Sequence, residues 1–507
     1  MRTVNRGLAL DAVIAVGWFA SVGLVVLHEQ GHVFGGAVNP LASIGATLEP
    51  KEQWFGVYYG QQKVGFAYTM LAPEERQGMP GFSMMDRGHL LFTLMGTPQQ
   101  IDVSSQAFID ADWRLQQFHA AILTERYRLQ WSGKRHGEAM QLTMTSNDNT
   151  TTYRLHDPGG RAMVSGLSSW LSFHRLSVGQ WGEVWLLNPI SLKPEAVHFS
   201  ARRKELFNGQ EALVIETDVQ GVTTTTWVTP DGQVLKEESP MGWTLLQESQ
   251  ADALRMPQGA AVDLLSAVAV PIDRPLAHPE QLTELTFLLE GATAEALAVD
   301  RPGQIVLPPA ALRPYRAQPP AGSWCLLQMH RATVPAHQAA PLPEAVQRYG
   351  RASPFIQSDD PRIRATAREI IGGLIDPWQQ VAALNQWVNT TLTKRLTVGM
   401  PSATDVLRTR SGDCHEHTVL FTALARSLGI PTRAVAGLVY YQGQLYYHAW
   451  PEVWIRGVWL PVDPTLGQPL ADATHLGLLE AEGEELLSLG KLVGTMSIRV
   501  VEEERGS

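Results

Sequence analysis

One cysteine, one histidine and one aspartate in the last fifth of the chain have the types and order of a thiol nucleophile site. Cys414 ends the segment Arg-Ser-Gly-Asp-Cys, His448 lies in Tyr-His-Ala-Trp, and Asp463 lies in Val-Asp-Pro-Thr. In such a site a thiolate attacks a carbonyl carbon, a histidine transfers the protons, and a carboxylate orients the histidine ring. The three residues therefore predict acyl transfer through a covalent intermediate on Cys414.

The residues around Cys414 predict that it lies in the first turn of a helix. Gly412 and Asp413 permit a tight turn before it, and the helix is expected to end at Gly429. An apolar stripe at i, i+4 spacing fills the interval: Leu420, Leu424 and Leu428. A helix start favours the reactive thiolate, and the backbone N–H of Cys414 is a natural donor to an oxyanion.

The other two residues are predicted on one face of a β-hairpin. Two apolar runs flank a turn at Arg456. In a symmetric hairpin around this turn, the numbers of any two residues that face each other have the same sum. Trp450 then faces Asp463, and His448 faces Thr465. His448 and Asp463 become diagonal neighbours about 7–8 Å apart at the backbone, within side-chain reach. A slip of one residue would put them on opposite faces.

The residues that directly follow Cys414 suggest a metal site at first sight. They are His415, Glu416 and His417. Successive helix positions point in different directions, so the three side chains cannot converge on one ion. His417 falls on the leucine stripe and is interpreted as packing. No metal and no cofactor is expected.

These segments resemble the transglutaminase-like (transglutaminase core) superfamily. The matching text is Arg410-Ser-Gly-Asp-Cys414, the run from Leu428 to Val435, His448-Ala-Trp450 with Glu452-Val453, and Trp459 to Gly467. The resemblance covers about residues 354–478. It implies a papain-like arrangement with Cys414 as nucleophile, His448 as base and Asp463 as orienting acid. It leaves open whether water resolves the acyl-enzyme, as in a peptidase or amidase, or an amine does, as in a transglutaminase-type acyltransferase.

The elements that must position this site can be predicted from the spacing of apolar residues, which is typical of strands in the first part of the chain and of helices in the last part. Residues 53–254 read as β-strands joined by turns such as Asn208-Gly209, and a shorter β-rich segment spans residues 282–334. Cys325 in that segment is expected to be a buried strand residue. Helical spacing begins after the linker at residues 335–343, where Asp360-Pro361 and Asp376-Pro377 have the form of helix starts. Residues 402–407 predict a further short helix.

The predicted fold class is α+β. A C-terminal papain-like, transglutaminase-like core, with helices packed on an antiparallel sheet, follows mainly antiparallel β-domains and an N-terminal membrane helix. The predicted boundaries are a signal-anchor at 1–35, a large antiparallel β-domain at 50–255, a small β-rich domain at 265–335 and the catalytic domain at 344–507.

Composition excludes several classes of protein. The chain has 507 residues, a formal net charge of −10 and no basic run, which argues against a nucleic-acid partner. Its two cysteines are too few for a disulfide scaffold, and its 44% hydrophobic content indicates a folded chain. At this length several domains are expected rather than one core.

The N-terminal segment predicts export. Arg2 and Arg6 precede an apolar run from Leu8 to Leu27, which is about the length that crosses a bilayer. We interpret it as an uncleaved, single-pass signal-anchor, with the bulk of the chain outside the cytoplasm. The anchored, β-rich upstream region resembles that of bacterial envelope members of the superfamily, which implies a bacterial inner membrane and a periplasmic bulk. A cleaved signal peptide is the alternative, with the same destination for the bulk.

His28-Glu-Gln-Gly-His32 fits the zinc-protease pattern H-E-x-x-H. Membrane-embedded enzymes of that kind need several spanning helices and a third ligand, whereas the sequence offers one apolar run of that length. The motif is therefore interpreted as a polar segment at the point where the anchor leaves the membrane. A metalloprotease ranks third among the functions considered.

The leading hypothesis is a membrane-anchored thiol enzyme whose partner is a peptide or protein substrate in the cell envelope. The alternative is a non-catalytic envelope module that uses the same fold to bind a peptide or protein.

Overall fold

The computed structural model describes residues 50–505 except at 95–96, 112–113, 126–127, 147–148, 157–175, 188–193, 220–221, 241, 257–261, 264–268, 292–300, 302, 317, 337–341, 354, 396–401 and 481–495. The signal-anchor predicted at 1–35 and the His28–His32 motif lie outside the described residues. No helix within the described part of the chain is long and apolar enough to span a membrane. The contacts group the chain into two compact units, one within residues 14–263 and one within residues 264–507.

The first unit is built on one antiparallel sheet of 14 strands. Its order is β8-β7-β6-β5-β4-β3-β2-β1-β14-β13-β12-β11-β10-β9, so two meanders meet where β1 pairs with β14. The strands are β1 Lys51–Tyr59, β2 Gln62–Arg76, β3 Met79–Leu94, β4 Thr97–Asp110, β5 Leu115–Thr124, β6 Arg128–His136, β7 Ala139–Ser146, β8 Asn149–His156, β9 Trp181–Leu187, β10 Pro194–Phe207, β11 Gln210–Val219, β12 Val222–Val228, β13 Val234–Glu238 and β14 Trp243–Glu248. The short helix α1 Gln250–Ala253 follows them.

Local turn chemistry accounts for the hairpins of this sheet. β10 and β11 are joined by Asn208 and Gly209, whose φ angles are 50° and 81°. Positive φ at both central residues is the signature of a tight hairpin turn, and asparagine and glycine tolerate it. The hairpin predicted at this dipeptide is confirmed.

One face of the sheet forms the core of the first unit. Val57, Leu90 and Ile101 lie in one row across the strands, and each is fully buried. Leu245 and Glu237 continue the row on the other side of β1, and Glu237 is 5% exposed. A carboxylate on this apolar face lacks the water that would stabilise its charge, and burial raises the pKa of Glu237 to about 7.

The second unit contains a small sheet of order β16-β17-β15-β24. Its strands are β15 Leu282–Glu290, β16 Gln304–Leu307, β17 Trp324–His330 and β24 Ser497–Arg505. Cys325 lies in β17 and is buried, as predicted. β24 comes from the end of the chain and pairs with β15, so this sheet is completed by residues more than 200 positions away. The predicted domain boundaries stay a prediction.

The remaining elements of the second unit are helices and a four-stranded sheet of order β22-β21-β20-β23. The helices are α2 Glu344–Gln347, α3 Pro361–Ile371, α4 Pro377–Thr391, α5 Ala403–Thr409 and α6 Cys414–Ser427. The strands are β18 Thr393–Lys394, β19 Ser411–Gly412, β20 Thr432–Tyr441, β21 Gln444–Ile455, β22 Val458–Pro461 and β23 Leu476–Glu480. Mainly antiparallel sheets and a C-terminal core that contains helices are thus both present.

The helices begin where the sequence predicts. Asp360, Asp376, Ser402 and Asp413 each cap a helix with the side-chain oxygen, and a proline holds the first position of α3 and α4. The apolar face of α6 packs against α3, α4, α5 and β21. The resulting core cluster includes Val381, Leu384, Val388, Leu420, Phe421, Leu424, Val453 and Leu460. This core holds α6 against β21, the strand that carries His448.

Candidate active site

Cys414 is the first residue of α6, and a capping box forms the turn before it. The Asp413 carboxylate accepts a hydrogen bond from His415 N (3.0 Å), and the Glu416 carboxylate accepts one from Asp413 N (2.9 Å). These reciprocal bonds fix the path of the chain into the helix. The Cys414 side chain is fully buried at a position where helix N–H groups and the helix dipole favour an anion.

Gly412 allows this turn to close. A β-carbon at Gly412 would lie 2.3 Å from Cβ and 2.4 Å from Cγ of Glu416, which is far inside van der Waals contact. Only glycine therefore leaves room for the Glu416 side chain to reach back to the Asp413 backbone. The glycine of the Arg-Ser-Gly-Asp-Cys segment is thus a requirement of the capping box.

His448 and Asp463 meet at the end of the predicted hairpin. β21 and β22 pair as Val453↔Leu460 and Ile455↔Val458, which is the predicted register. Regular pairing ends at Glu452↔Pro461, so β21 and β22 do not form the predicted pairs Trp450–Asp463 and His448–Thr465, and Asp463 bridges to Gln468 instead. The chain turns after Pro461, and Nε2 of His448 lies 2.8 Å from Oδ2 of Asp463. Both side chains are buried, at 3% and 0% exposure, so this bond lies in a low dielectric that strengthens it.

Asp463 accepts four hydrogen bonds. Oδ1 accepts from the backbone N–H groups of Thr465 and Leu466, each at 2.8 Å. Oδ2 accepts from His448 and also from Nε2 of His475, at 3.0 Å. Burial by itself would raise the pKa of this carboxyl, but the two histidines outweigh burial and hold the pKa far below its usual range. Asp463 is therefore a carboxylate at every physiological pH.

Sequence reasoning missed His475. It stands just before β23, and its Nδ1 lies 3.2 Å from Oδ1 of Asp472. Burial by itself would lower the pKa of His475, but the bonds to Asp463 and Asp472 outweigh burial and raise it well above its usual range. His475 also holds the pKa of Asp472 down, at about 2, against the effect of burial. The segment Asp-Ala-Thr-His matches no motif considered above, so only the fold reveals the hydrogen bond from His475 to Asp463.

Trp450 covers the hydrogen bond between His448 and Asp463. Its ring stacks on His448, with centroids 6.0 Å apart and planes 23° apart, and meets His475 edge-on at 5.1 Å. Gly437 lies opposite His448 on β20, and a β-carbon there would lie 2.7 Å from the Trp450 ring. The indole thus occupies the space that this glycine leaves, and it is 1% exposed.

The histidines after Cys414 do not converge on one point. His417 is buried, and its Nδ1 bonds to the carbonyl oxygen of Asp413, which agrees with the predicted packing role. Burial lowers the pKa of His417 to about 4 and also lowers the pKa of His415. Both rings are therefore neutral near pH 7, and the structure offers no geometry that would make either a ligand together with Glu416.

Another group of side chains has the spacing that a metal ion could use. Ligand atoms of His448, Asp463 and His475 lie within 4.8 Å of one another. Each Nε2 lies at donor distance from the same carboxylate oxygen, as in N–H···O hydrogen bonds. The arrangement is therefore a hydrogen-bond network.

The two histidines differ in their hydrogen-bond partners. Nε2 of His448 is engaged by Asp463, so Nδ1 is the ring nitrogen left to exchange a proton with a thiol. His475 lies next to a carboxylate on each side. Strand β21, which carries His448, packs against α6, which begins at Cys414. The pairing of His448 with Cys414 and the three catalytic roles stay predictions.

Comparison with known families agrees with this class of site. Residues 364–464 match the Transglutaminase-like superfamily, and the match spans Cys414, His448 and Asp463. This part of the chain is a transglutaminase-like domain. No curated protein matches the chain.

Among solved structures, the chain is similar to a candidate cysteine protease from Cytophaga hutchinsonii, with 17% identity, TM-score 0.31, and 45% of this chain and 85% of that one covered. It is similar to a DUF1089 family protein from Pseudomonas aeruginosa, with 13% identity, TM-score 0.20, and coverage of 42% and 97%. It is also similar to a candidate protease from Parabacteroides distasonis, with 10% identity, TM-score 0.19, and coverage of 80% and 68%.

Proposed function

We propose that this chain is a thiol enzyme that forms an acyl-enzyme at Cys414 and cleaves or transfers an acyl group at an amide bond. The observation that carries the proposal is the hydrogen bond from Nε2 of His448 to the carboxylate of Asp463, which accepts four hydrogen bonds in total. It fixes the ring and its tautomer and directs Nδ1 to proton transfer. Cys414 at the helix start supplies the nucleophile. The arrangement is of the papain-like kind.

The first half of the reaction takes the acyl group. Nδ1 of His448 accepts the thiol proton of Cys414, and Sγ attacks the carbonyl carbon of the amide. The carbonyl oxygen becomes an oxyanion, for which the backbone N–H of Cys414 is the donor we assign. His448 then gives its proton to the leaving amine as the C–N bond breaks. A thioester on Cys414 and a free amine are the products of this half.

The second half passes the acyl group on. Water or an amine attacks the thioester carbon, and His448 accepts its proton. The C–S bond breaks, and the proton returns to Cys414. Water makes the chain a peptidase or amidase, and an amine makes it an acyltransferase. Asp463 keeps its negative charge throughout and stabilises the imidazolium form of His448.

We further propose that the chain works in the bacterial cell envelope. The apolar run from Leu8 to Leu27 behind Arg2 and Arg6 supports a single-pass inner-membrane anchor with the bulk periplasmic. The substrate would then be a peptide or protein of the envelope. The net charge of −10 and the absence of a basic run argue against a nucleic-acid partner.

One observation favours a second candidate function. Cys414 is fully buried, and His448 and Asp463 are nearly so. A non-catalytic module that binds a peptide or protein elsewhere on the same fold would leave these side chains inside. The two candidates differ in what happens to the thiol, so the experiments below separate them.

The first experiment measures turnover. The full chain is incubated with peptides from envelope proteins, and the products are identified by mass spectrometry. Cys414→Ala should abolish turnover, whereas the matched control Cys325→Ala, which changes a buried cysteine in β17, should keep it. The products distinguish conversion of an amide to an acid, cleavage of the backbone, and cross-linking with loss of ammonia. Equal turnover by Cys414→Ala and the parent would refute the proposal.

The second experiment measures thiol reactivity and needs no substrate. Iodoacetamide, which is small and neutral, is allowed to react near neutral pH, and labelled peptides are counted. The proposal predicts that Cys414 reacts much faster than Cys325 and that His448→Ala removes this advantage. If the labelling rate of Cys414 is the same in His448→Ala as in the parent chain, the binding module is favoured.

A further inference from the structure

His475 has a carboxylate at each of its ring nitrogens. Nε2 lies 3.0 Å from Oδ2 of Asp463, and Nδ1 lies 3.2 Å from Oδ1 of Asp472. The side chain of His475 is 1% exposed and those of the two aspartates are 0% and 6% exposed. Solvent therefore has little part in determining the charge of the imidazole.

An ionised carboxylate only accepts hydrogen bonds, so a ring nitrogen beside it must carry a proton. Asp472 is held in the ionised form because its Oδ1 accepts from the backbone and hydroxyl of Thr474 and its Oδ2 accepts from Gln468. Asp463 accepts four donors, as described above. Both nitrogens of His475 then carry protons, and the ring is an imidazolium. A neutral ring would place a lone pair against one of the two carboxylates.

We propose that His475 is a permanently charged positioning residue, which shares Oδ2 of Asp463 with His448 and thereby limits how strongly that carboxylate holds a proton on His448. The proposal rests on the proposed function, in which His448 must both take and release a proton. Neither the thiol nor the substrate needs to touch His475.

The physical reason is the distance between the two rings. Their centroids are 6.1 Å apart, and Trp450 packs against both. At an effective dielectric of about 20, a unit charge at this distance shifts the titration of a second charge by about two pH units. A second imidazolium at His448 is therefore less favoured than it would be beside Asp463 alone. Release of the proton to a leaving amine becomes easier.

Other charged groups face this cluster from neighbouring elements. On α6, His417 is electrostatically coupled to Asp463, and Cys414 and Glu416 are its helix neighbours. Lys394 of β18 acts on His417. Burial keeps His417 neutral near pH 7, so His417 adds no positive charge beside Asp463.

The test is histidine-selective NMR on the full chain, with ¹³C at Cε1 and a pH titration from 5 to 9. The His475 signal, assigned by its loss in His475→Gln, should stay at the imidazolium position across the range. Glutamine can still donate to Asp463 but carries no charge. In this variant the His448 signal, assigned by its loss in His448→Gln, should titrate about one to two pH units higher than in the parent.

Asp472→Asn is the matched second variant, and it retains the imidazole. It removes a negative charge, so the His475 signal should begin to titrate within the range and the His448 signal should not move upward. Circular dichroism confirms that each variant is folded. A His475 signal that titrates near pH 6.5 in the parent overturns the proposal, and so does an unchanged His448 titration in His475→Gln. Both readouts are independent of turnover, so failure of the proposed function is seen separately in the alkylation of Cys414.

Discussion

His448 and His475 donate to one and the same oxygen, Oδ2 of Asp463, at 2.8 Å and 3.0 Å. Their second ring nitrogens differ, because Nδ1 of His475 faces Asp472 whereas Nδ1 of His448 does not take part in a bond to Asp463 or Asp472. This asymmetry is the basis on which we propose different tasks for the two histidines around one carboxylate. The predictions below test the carboxylate, the turn before Cys414 and the interior of the first unit.

Asp463→Asn should reduce turnover by about 10³–10⁴-fold. An amide keeps the size of the side chain, but one of its two polar atoms is an N–H donor and cannot accept. It therefore cannot accept from both histidines and both backbone N–H groups, so His448 loses its orientation and tautomer. Turnover of the peptide substrate measures the effect. Asp376→Asn, which changes a helix-capping carboxylate of α4, is the control and should keep full activity. Similar losses in both variants would contradict the assigned role of Asp463.

Gly412→Ala should destabilise the second unit by about 1–3 kcal/mol, since the new methyl group overlaps Glu416. The capping box would open, and alkylation of Cys414 should slow as well. Gly350→Ala is the matched control, because a β-carbon there meets no atom within 4 Å. Urea denaturation measures the stability. A stable Gly412→Ala variant with unchanged alkylation would show that the turn is not required.

Asp413→Ala and Asp360→Ala remove equivalent caps from α6 and α3. Each should lower the free energy of unfolding by about 1 kcal/mol. Only Asp413→Ala should change the iodoacetamide reactivity of Cys414, because only that cap adjoins the thiol. The comparison separates general helix stability from the local effect on Cys414. Equal reactivity in the two variants would argue against a role for the helix start.

The raised pKa of Glu237 predicts that the stability of the first unit depends on pH. Burial raises its pKa from 4.5 to about 7, so between these values the folded chain keeps a proton that the unfolded chain has lost. Stability therefore falls as the pH rises through this window, by about 3 kcal/mol at most. Glu237→Gln should remove this slope and leave the first unit more stable at pH 8.

The control for that experiment is Glu238→Gln, whose carboxylate is partly exposed and pairs with Lys236. It should leave the slope in place. Urea midpoints at pH 5 and pH 8 provide the measurement. A parent chain whose first unit is equally stable at both values would show that Glu237 is not held neutral.

Much of the site could be predicted because its parts are local. The start of α6 depends on Gly412, Asp413 and Glu416, which are within four residues of one another. The hairpin register depends on the turn at Arg456 and on which residues alternate beside it. Short-range rules describe both, since a cap or a tight turn is closed by neighbours in the chain.

Other features could not be predicted from local patterns. His475, with Asp472 at its other ring nitrogen, reaches Asp463 only because the chain turns after Pro461 and returns to form β23 beside β20. β24 completes the small sheet by pairing with β15, and β1 joins two meanders by pairing with β14. Each of these contacts joins residues that no turn or helix period connects.

By itself the sequence determined the nucleophile, the base and the orienting carboxylate as candidates, together with the capped helix and the hairpin that carry them. The tertiary structure alone decided that Asp463 serves two histidines and that Trp450 covers the pair. The physical reason is that hydrogen-bond caps and strand alternation act over a few residues, whereas the charge of a buried group depends on every element packed around it.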